Sequence, residues 1–378
     1  MNPIHNFFPS DICFRQAAEQ ALQATLVCDP NPRVGCIIVD TNGRILGQGH
    51  TQQVGQAHAE IMALRAARAA GFDVRGATAY VTLEPCSHHG RTPPCCDALI
   101  EAGIARVLIA QQDPNPLVAG QGIARLRAAA IDVSVLDPDN PVAIATRELN
   151  IGFFSRMIRK TPWVRMKMAS SLDGTTALAN GQSQWITSPE ARADGHAWRA
   201  RACAVLTGIG TVLQDNPRLD VREVKTPRQP HIVVVDSRLQ TPLDAHLFIP
   251  GRACIIYAAV QNDAKKAALQ ARGATVVMLP DSQGKVDLAA MMKDLGTREI
   301  NELHVEAGSK LNGSLIRAGL VDEFLVYLAP KLLGPGQGMA SFGPLQSLSE
   351  AVALEFQSTD RMGVDLRLVA RVAGRDQF

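Results

Sequence analysis

The sequence is poor in aromatic residues, lacks any block of concentrated positive charge and has no long apolar run. Aromatic residues make up 4% of its 378 residues, and the formal net charge at pH 7 is +2. Proteins that bind nucleic acids need clustered Lys and Arg, and those that bind single strands also need aromatic stacking platforms. A membrane-spanning helix needs about 18 or more apolar residues in succession. We therefore expect neither a nucleic acid nor a membrane as a partner.

The N-terminal segment MNPIHNFFPSDI has no basic stretch followed by an apolar one, so we expect no secretory signal peptide. Three of the eight cysteines lie in the segment EPCSHHGRTPPCC at 84–96. In a chain without an export signal, such cysteines are typical of free thiols or metal ligands rather than of a disulfide framework. We therefore expect a cytoplasmic protein whose cysteines stay reduced.

The length and the hydrophobic pattern indicate two α/β domains, because 378 residues exceed what one core usually supports. In the first part, strand-like runs such as VGCIIVD (34–40) alternate with helix-like runs such as HAEIMALRAARAA (58–70). The pattern changes in the basic segment NIGFFSRMIRKTP at 150–162. We predict α/β domains at 1–150 and 161–378, the second with buried strands near 203–207, 231–236, 253–258, 274–278, 303–306 and 323–328.

Residue types that bind metals occur in two short segments of the first domain. His58 and Glu60 begin a predicted helix, Cys86 follows a predicted strand, and Cys95 begins the next helix. One imidazole and two thiolates favour tetrahedral zinc, and three protein ligands leave a fourth position for water. Zinc lowers the pKa of water towards about 7, and a neighbouring glutamate can carry protons to a leaving amine. This pattern predicts a zinc-dependent deaminase with Glu60 as the proton carrier.

Spacing alone does not single out the ligands. Eight residues separate Cys86 from Cys95, whereas zinc deaminases in general have P-C-x-x-C. His88, His89 and Cys96 carry equally suitable ligand atoms. Neighbouring helical cysteines point about 100° apart, so only one of Cys95 and Cys96 can face the ion. In the alternative without a metal, HAE lies on a solvated helix and the cysteines pack as small apolar residues.

Two glycine-containing segments that follow predicted strands could bind a nucleotide in the second domain. One is GIGT (208–211), and the other is GSKLNG (308–313), which we expect to form a loop that opens the helix SLIRAGL. Glycine lets the backbone approach a pyrophosphate, and a helix N-terminus supplies unpaired N–H groups. No G-x-G-x-x-G follows a strand there, so each segment alone is also typical of an ordinary turn. Together they favour a nucleotide cofactor.

Several motifs closely resemble the bifunctional riboflavin-biosynthesis deaminase/reductase family. PNPRVGC, HAE and EPCSHHGRTPPC resemble its deaminase half, and KMASSLDG, SQWITS, DNPRLDVR, VVVDS and VEAGSKLNGSL resemble its reductase half. The resemblance implies a cytidine-deaminase-like three-layer domain followed by a dihydrofolate-reductase-like α/β domain. It also implies zinc-dependent deamination of 2,5-diamino-6-(5-phosphoribosylamino)pyrimidin-4(3H)-one. Reduction of the ribosyl side chain by NADPH would then give 5-amino-6-(5-phosphoribitylamino)uracil.

The resemblance assigns roles residue by residue. It implies that the zinc ligands are His58, Cys86 and Cys95, that Glu60 is the proton shuttle and that Cys96 is a packing residue. The residues implied to bind NADPH are Ala169, Trp185, Thr211, Asp215, Ser237, Gly308, Ser309, Lys310, Leu311, Asn312, Gly313 and Ser314. Those implied to bind the substrate are Ser183, Arg199, Leu219, Arg222 and Glu306. One departure is Ser309-Lys310, where the family usually has Pro-Thr.

The chemistry of these residue types supports several of the implied roles in the second domain. Arg199 and Arg222 suit a 5′-phosphate, because a guanidinium can bind two oxygens at once. Glu306, at the end of a predicted strand, suits ribose hydroxyls. Lys167 and Asp215 are our candidates for assisting the opening of the sugar ring. Each of these charged residues could instead lie on a solvated surface.

In the first domain, Asn31 and Arg91 are possible substrate contacts, although both lie in segments that are typical of turns. Two other functions are compatible with the sequence. The chain could be another nucleoside or base deaminase with an unrelated nucleotide-binding domain, or a zinc-stapled binding protein, which would not need Glu60. We expect a small pyrimidine ribotide as the substrate and a homodimer or homotetramer as the assembly.

Overall fold

The computed structural model describes residues 12–88, 93–116 and 118–378. The chain divides into two compact units between Arg159 and Lys160. The segment between the two predicted domains forms a helix, Ile151–Arg159, in the first unit. Within the described ranges, no helix combines the length and the apolar character that crossing a membrane would require.

Within the described residues, the first unit has a five-stranded sheet in the order β2-β1-β3-β4-β5. Strand β1 is antiparallel to β2 and β3, whereas β3, β4 and β5 are parallel. The strands are β1 (Gly35–Val39), β2 (Ile45–His50), β3 (Thr78–Val81), β4 (Arg106–Ile109) and β5 (Asp132–Val135). The helices are α1 (Ile12–Gln23), α2 (Ala59–Ala69), α3 (Cys95–Glu101), α4 (Gln121–Ala128), α5 (Pro141–Leu149) and α6 (Ile151–Arg159).

Helix α2 lies directly on strand β2 because two glycines of the strand have no side chain. A Cβ atom at Gly47 would lie 2.2 Å from the carbonyl oxygen of Ala63, and one at Gly49 would lie 2.7 Å from that of Ala59. Since real Cβ atoms do not approach backbone so closely, other residues would push the helix outward. The alternating glycines in ILGQGH therefore set the short distance between α2 and strand β2, and with it the position of the helix N-terminus.

In the part of the second unit that the structure describes, a nine-stranded sheet has the order β11-β10-β9-β8-β12-β6-β13-β16-β15. The first seven strands in this order, from β11 through β6 to β13, are parallel. Strand β16 pairs antiparallel with β13, and β15 pairs antiparallel with β16. The strands are β6 (Trp163–Ser171), β8 (Ala204–Gly208), β9 (His231–Val235), β10 (Cys254–Ala258), β11 (Ala274–Met278), β12 (Glu302–Val305), β13 (Glu323–Ala329), β15 (Leu354–Met362) and β16 (Asp365–Val372). A separate pair consists of β7 (Thr175–Leu178) and β14 (Gly336–Gly338).

The helices of the second unit connect the parallel strands. They are α7 (Pro189–Arg201), α8 (Ile209–Asp215), α9 (Asp263–Ala271), α10 (Leu288–Thr297) and α11 (Ser309–Arg317). Apolar clusters centred on Leu206 and Leu303, and on Val205 and Ile256, form the core. The six predicted strands are confirmed as β8 to β13.

The prediction that GSKLNG forms a loop before the helix is wrong, because residues 309–313 already belong to α11. Gly313 lies inside the helix, and its role is close packing rather than an unusual backbone angle. A Cβ atom there would lie 1.9 Å from the carbonyl oxygen of Ser341. The helix N-terminus is therefore at Gly308, earlier than the sequence pattern indicated.

Four neighbouring strands carry a row of buried charges of alternating sign: Glu302 on β12, Arg165 on β6, Glu323 on β13 and Arg371 on β16. Arg165 donates to Glu302 at 2.9 Å and to Glu323 at 2.5 Å, and Arg371 donates to Glu323 at 3.2 Å. Every one of these side chains is less than 5% exposed. The ring of Trp198 lies 4.4 Å from the Arg165 guanidinium and covers it.

Candidate functional site

The first unit brings three potential metal ligands to the same end of two helices. His58 is the N-cap residue immediately before α2, and Glu60 lies in the first turn of that helix. Cys86 lies in the loop that leaves β3, and Cys95 is the first residue of α3. The contact between α2 and β2 and the close pairing of β1 with β3 hold these segments side by side.

The ligand atoms of His58, Cys86 and Cys95 all lie within 4.8 Å of one another. The Nδ1 atom of His58 is 3.6 Å from Sγ of Cys86 and 3.4 Å from Sγ of Cys95. The backbone N–H of Cys95 donates to Sγ of Cys86 at 3.3 Å. One imidazole nitrogen and two sulfurs at this separation match the donor set and the size of a tetrahedral zinc site with an open fourth position.

The neighbouring candidates point elsewhere or lie outside the described residues. Sγ of Cys96 donates to the carbonyl oxygens of Pro85 at 3.3 Å and Gly122 at 3.6 Å, so it packs beneath the loop. His88 is exposed and does not belong to the ligand cluster found among the described residues. His89 and Arg91, which the sequence also raised, lie outside the described residues.

Burial and charge set the protonation of this cluster. Hydrogen bonds from Cys95 and His58, opposed by burial, lower the pKa of Cys86 to about 4. The hydrogen bond to Cys86 raises the pKa of His58, against the effect of burial. Burial raises the pKa of Glu60, and the negative charge of Cys86 adds to the effect. Cys86 is therefore a thiolate beside the imidazole of His58, and a deprotonated sulfur is what a site for a metal cation requires.

Glu84 supports the loop that carries Cys86, a role that sequence reasoning missed. Its carboxylate accepts from the backbone N–H groups of Gly120 at 2.9 Å, Ile123 at 3.1 Å and Asp113 at 3.3 Å. A glutamate two residues before a metal-binding cysteine gives no sequence signal of this kind, because its partners are backbone groups about 30 to 40 residues away. Glu84 therefore ties the metal loop to the start of α4.

The second unit brings together three of the predicted substrate residues. Arg199, near the end of α7, donates to both carboxylate oxygens of Glu306 at 2.7 and 2.9 Å. Arg199 also donates to the carbonyl oxygen of Asp220 at 2.5 Å, and Arg222 donates to the Asp220 carboxylate at 2.9 Å. Half of the Arg222 side chain remains exposed, so its guanidinium can still reach a ligand.

Lys167 and His304 lie next to this ion pair on neighbouring strands. Burial lowers the pKa of Lys167, whereas the charge of Glu306 opposes the shift. The Lys167 ammonium lies 5.8 Å from the ring of Tyr327. Burial lowers the pKa of His304 to about 3, so this fully buried imidazole is neutral, with Nε2 3.5 Å from Glu306. The Arg199–Glu306 pair thus adjoins a second cation, Lys167, and a neutral imidazole, His304.

Eight of the predicted nucleotide residues, Thr211 and the run 308–314, lie in or near the first turns of α11. A Cβ atom at Gly308 would lie 3.8 Å from Oγ1 of Thr211, which belongs to the first turn of α8. Leu311 packs against Gly208, Nδ2 of Asn312 donates to the carbonyl oxygen of Met339 at 3.0 Å, and Lys310 is exposed. Oγ of Ser314 donates within the helix to the carbonyl oxygen of Lys310 at 3.0 Å.

The other predicted residues lie at separate places in the second unit. Ala169 pairs with Tyr327, and Trp185 is 61% exposed with the Arg192 guanidinium 4.4 Å from its ring. Asp215 ends α8 and Ser237 follows β9, where its hydroxyl accepts from Val286 N–H at 3.2 Å. The described contacts do not join Ser183, Leu219 or Ser237 to the Glu306 cluster, nor Asn31 to the cysteine cluster.

Two family models and several relatives match the chain. The cytidine and deoxycytidylate deaminase zinc-binding region matches residues 10–111, and the RibD C-terminal domain matches residues 162–368. The riboflavin biosynthesis protein RibD of Escherichia coli is 44% identical over 93% of this chain and 96% of that protein. The structure of RibD from Acinetobacter baumannii has 36% identity and a TM-score of 0.84, over 95% of this chain and 97% of that one.

A third relative is described as a diaminohydroxyphosphoribosylaminopyrimidine deaminase/5-amino-6-(5-phosphoribosylamino)uracil reductase from Thermotoga maritima. It is 31% identical with a TM-score of 0.83, over 98% of this chain and 99% of that one. The predicted cytidine-deaminase-like first domain and α/β reductase second domain are confirmed, as are zinc and NADPH as the cofactors of these domains. The chain belongs to the RibD family of bifunctional riboflavin biosynthesis deaminase/reductases.

Proposed function

We propose that this chain deaminates 2,5-diamino-6-(5-phosphoribosylamino)pyrimidin-4(3H)-one and then reduces the ribosyl side chain of the product to ribityl. The observation that carries the proposal is the convergence of His58, Cys86 and Cys95 around a common point, with Glu60 in the adjoining turn. That arrangement supports hydrolytic removal of an amine from a ring carbon. The Arg199–Glu306 pair beside Lys167 in the second unit supports work on a phosphorylated sugar.

In the first reaction, Nδ1 of His58 and the sulfurs of Cys86 and Cys95 would hold zinc. When bound, zinc supplies the Lewis acidity that makes water a nucleophile at neutral pH. Glu60 is 3% exposed and its carboxyl hydrogen-bonds with Cys95, so it faces the same point as the three ligands. From there Glu60 takes a proton from the attacking water and delivers one to the departing ammonia.

In the second reaction, bound NADPH would supply the hydride, while residues of this chain bind the sugar and move a proton. Arg199 and Arg222 bind the 5′-phosphate, and Glu306 accepts hydrogen bonds from ribose hydroxyls. Lys167 donates its proton to the ring oxygen as the sugar opens, which its lowered pKa favours. Asp215, whose pKa burial raises, assists at the end of α8.

The remaining predicted residues are proposed to complete these two sites. Ser183 and Leu219 line the substrate side. Those proposed to contact NADPH, together with Asp215, are Ala169, Trp185, Thr211, Ser237, Gly308, Ser309, Lys310, Leu311, Asn312, Gly313 and Ser314. The position of Gly308 and Ser309 at a helix N-terminus supports binding of an anionic group of the cofactor.

The two reactions can be separated in one protein by replacing Glu60 with Gln and, in a second variant, Lys167 with Met. The Glu60→Gln protein should release no ammonia from the diaminopyrimidinone but should still oxidise NADPH when the deaminated uracil nucleotide is supplied. The Lys167→Met protein should show the opposite behaviour, with NADPH binding retained. Ammonia release and NADPH absorbance report the two steps. Equal loss of both activities in either variant would contradict the assignment.

We also propose that the chain forms a homodimer through the edge strand β15. Leu354 and Phe356 of this strand are 45% and 73% exposed, and Leu348 just before it is 95% exposed. A nine-residue edge strand with apolar side chains is a template for pairing with a second copy. Sedimentation should show a dimer in the wild type and a monomer in Phe356→Lys. A wild-type monomer at micromolar concentration would contradict this proposal.

A cytoplasmic location is proposed on the cysteine chemistry. No disulfide joins the cysteines of the described ranges, and the cluster at His58 needs reduced sulfurs to bind a metal. Fractionation of cells that produce the protein should place it with cytoplasmic markers. Recovery with the exported fraction would contradict the proposal.

A further inference from the structure

A glutamine that the sequence did not single out lies at the N-terminus of α11. Gln337 is the central residue of strand β14, which pairs with β7. Its Nε2 atom donates to Oγ of Ser309 at 3.1 Å. A Cβ atom at Gly308 would lie 4.0 Å from the same Nε2 and 3.8 Å from Oγ1 of Thr211. A carboxamide and two hydroxyls therefore surround the first turn of the helix.

The backbone around Gln337 is held on both sides, whereas the residue itself is exposed. The carbonyl oxygen of Gln337 accepts from Oγ1 of Thr176 at 3.0 Å, and its backbone pairs with Ala177. On the N-terminal side, the Asp173 carboxylate accepts from Gly334 N–H at 2.7 Å. On the C-terminal side, Met339 accepts from Asn312 of α11. The segment 334–339 is thus a strap between β7 and α11.

We propose that Gln337 is a further cofactor-binding residue, and that it binds the diphosphate of NADPH together with Thr211, Ser309 and the N-terminus of α11. A carboxamide nitrogen carries two hydrogens, and one of them already reaches Ser309. The second can bind a phosphate oxygen beside Gly308, where no side chain occupies the space. The unpaired N–H groups and the helix dipole favour an anion at this place. This inference rests on the proposed NADPH-dependent reduction.

The test replaces Gln337 with Glu, which keeps the shape and puts a negative charge beside the expected diphosphate. KM is measured for NADPH and for NADH, with the deaminated uracil nucleotide as the other substrate. The dissociation constant of each cofactor is measured separately by equilibrium dialysis without that substrate, and it should rise by the same factor as KM. Loss of a hydrogen bond to a charged group corresponds to about a tenfold to hundredfold weakening, so KM for both cofactors should rise at least about tenfold. The kcat value at saturation and the deaminase activity should not change.

Two further variants keep the result interpretable. Gln270→Glu introduces the same charge on the exposed end of α9. This helix leads into β11, the edge strand of the nine-stranded sheet, so the change should leave both KM values unchanged. Gln337→Met removes the donor without adding charge and should raise both KM values by about tenfold. If Gln337→Glu does not fold, as judged by tryptophan fluorescence, Gln337→Met decides.

The outcomes distinguish this inference from the proposed function. A wild-type protein that does not oxidise NADPH with the deaminated nucleotide would defeat the proposed function itself. A wild type that does so, with unchanged KM values in Gln337→Glu and Gln337→Met, would overturn the inference alone. A rise for NADPH without a rise for NADH would place Gln337 at the 2′-phosphate and overturn the diphosphate assignment.

Discussion

Replacement of Arg165 with Met should destabilise the reductase unit severely, because Arg165 is the central cation of the buried charge row. In the native protein it contacts Glu302 at 2.9 Å and Glu323 at 2.5 Å, and its side chain is 3% exposed. Burial alone would raise the pKa of Glu323, but the charges of Arg165 and Arg371 outweigh burial and lower it. The variant therefore buries two carboxylates with one cation fewer to balance them.

The expected loss of stability depends on the ion-pair partners that Glu302 and Glu323 keep in the variant. Glu302 keeps Arg201 at 2.8 Å, and Glu323 keeps Arg371 at 3.2 Å, so neither carboxylate is left alone. Removing one partner of a buried ion pair typically costs about 3–5 kcal/mol. We expect a loss of about 3–5 kcal/mol in the free energy of unfolding, a large part of the roughly 5–15 kcal/mol that stabilises a typical domain.

The assay is urea-induced unfolding followed by tryptophan fluorescence. The three tryptophans are Trp163, Trp185 and Trp198, which all lie in the second unit, so the signal reports on that unit alone. The control is Arg298→Met: Arg298 is 35% exposed and pairs with Asp294 one helical turn away. Loss of that pair should cost less than about 1 kcal/mol.

A double variant measures the energetic coupling between Arg165 and Glu323. Glu323→Gln removes the carboxylate that Arg165→Met leaves short of a cation, so the two changes together should cost less than the sum of their separate costs. The coupling should be about 0.5–3 kcal/mol. An Arg165→Met variant that loses no more stability than Arg298→Met, or costs that simply add, would show that the charge row does not act as proposed.

Two further predictions concern the deaminase unit. Gly122→Ala should lower zinc occupancy in elemental analysis, because its Cβ atom would lie 2.1 Å from the carbonyl oxygen of Pro85 and displace the metal loop. The control Gly195→Ala should leave the metal content unchanged, because its Cβ atom would have no atom within 4 Å apart from its chain neighbours and the backbone of its own helix. Burial raises the pKa of Asp113 to about 7 from 3.8, so the folded state keeps a proton that the unfolded state has lost, and stability falls as pH rises from about 4 to about 7. Asp113→Asn should remove about 4 kcal/mol of this pH dependence. The measurement is calorimetry of the unfolding transition of the deaminase unit, which is recognised as the transition that a metal chelator shifts. An unchanged pH profile would contradict the raised pKa of Asp113.

Much of the fold was predictable because its buried strands are short apolar runs between turns. The runs at 203–207 and 253–258, for example, became β8 and β10. The C-terminal hairpin of β15 and β16 was missed because Leu354 and Phe356 are exposed, and the alternation that would indicate a half-buried strand is interrupted by charged residues. The early start of α11 was missed because glycine in GSKLNG suggested a loop, whereas Gly313 serves close packing.

In the candidate sites, features carried by local sequence were predictable, whereas features carried by contacts between distant residues were not. The metal cluster was predictable because its residue types are distinctive and lie at helix starts, and the choice between Cys95 and Cys96 needed the direction of each side chain. The contacts of Glu84 and Gln337 could not be predicted. Their partners are backbone groups or hydroxyls far along the chain, and neither residue type is diagnostic of such contacts.

The most direct test of the metal centre is elemental analysis of three purified proteins. The wild type should contain one zinc ion per chain, Cys95→Ser should contain almost none, and Cys96→Ser should retain it, because Cys96 points to Pro85 and Gly122 rather than to His58. Ammonia release from the diaminopyrimidinone should follow the metal content. Full zinc and full deamination in Cys95→Ser, or their loss in Cys96→Ser alone, would contradict the ligand set on which the deaminase assignment depends.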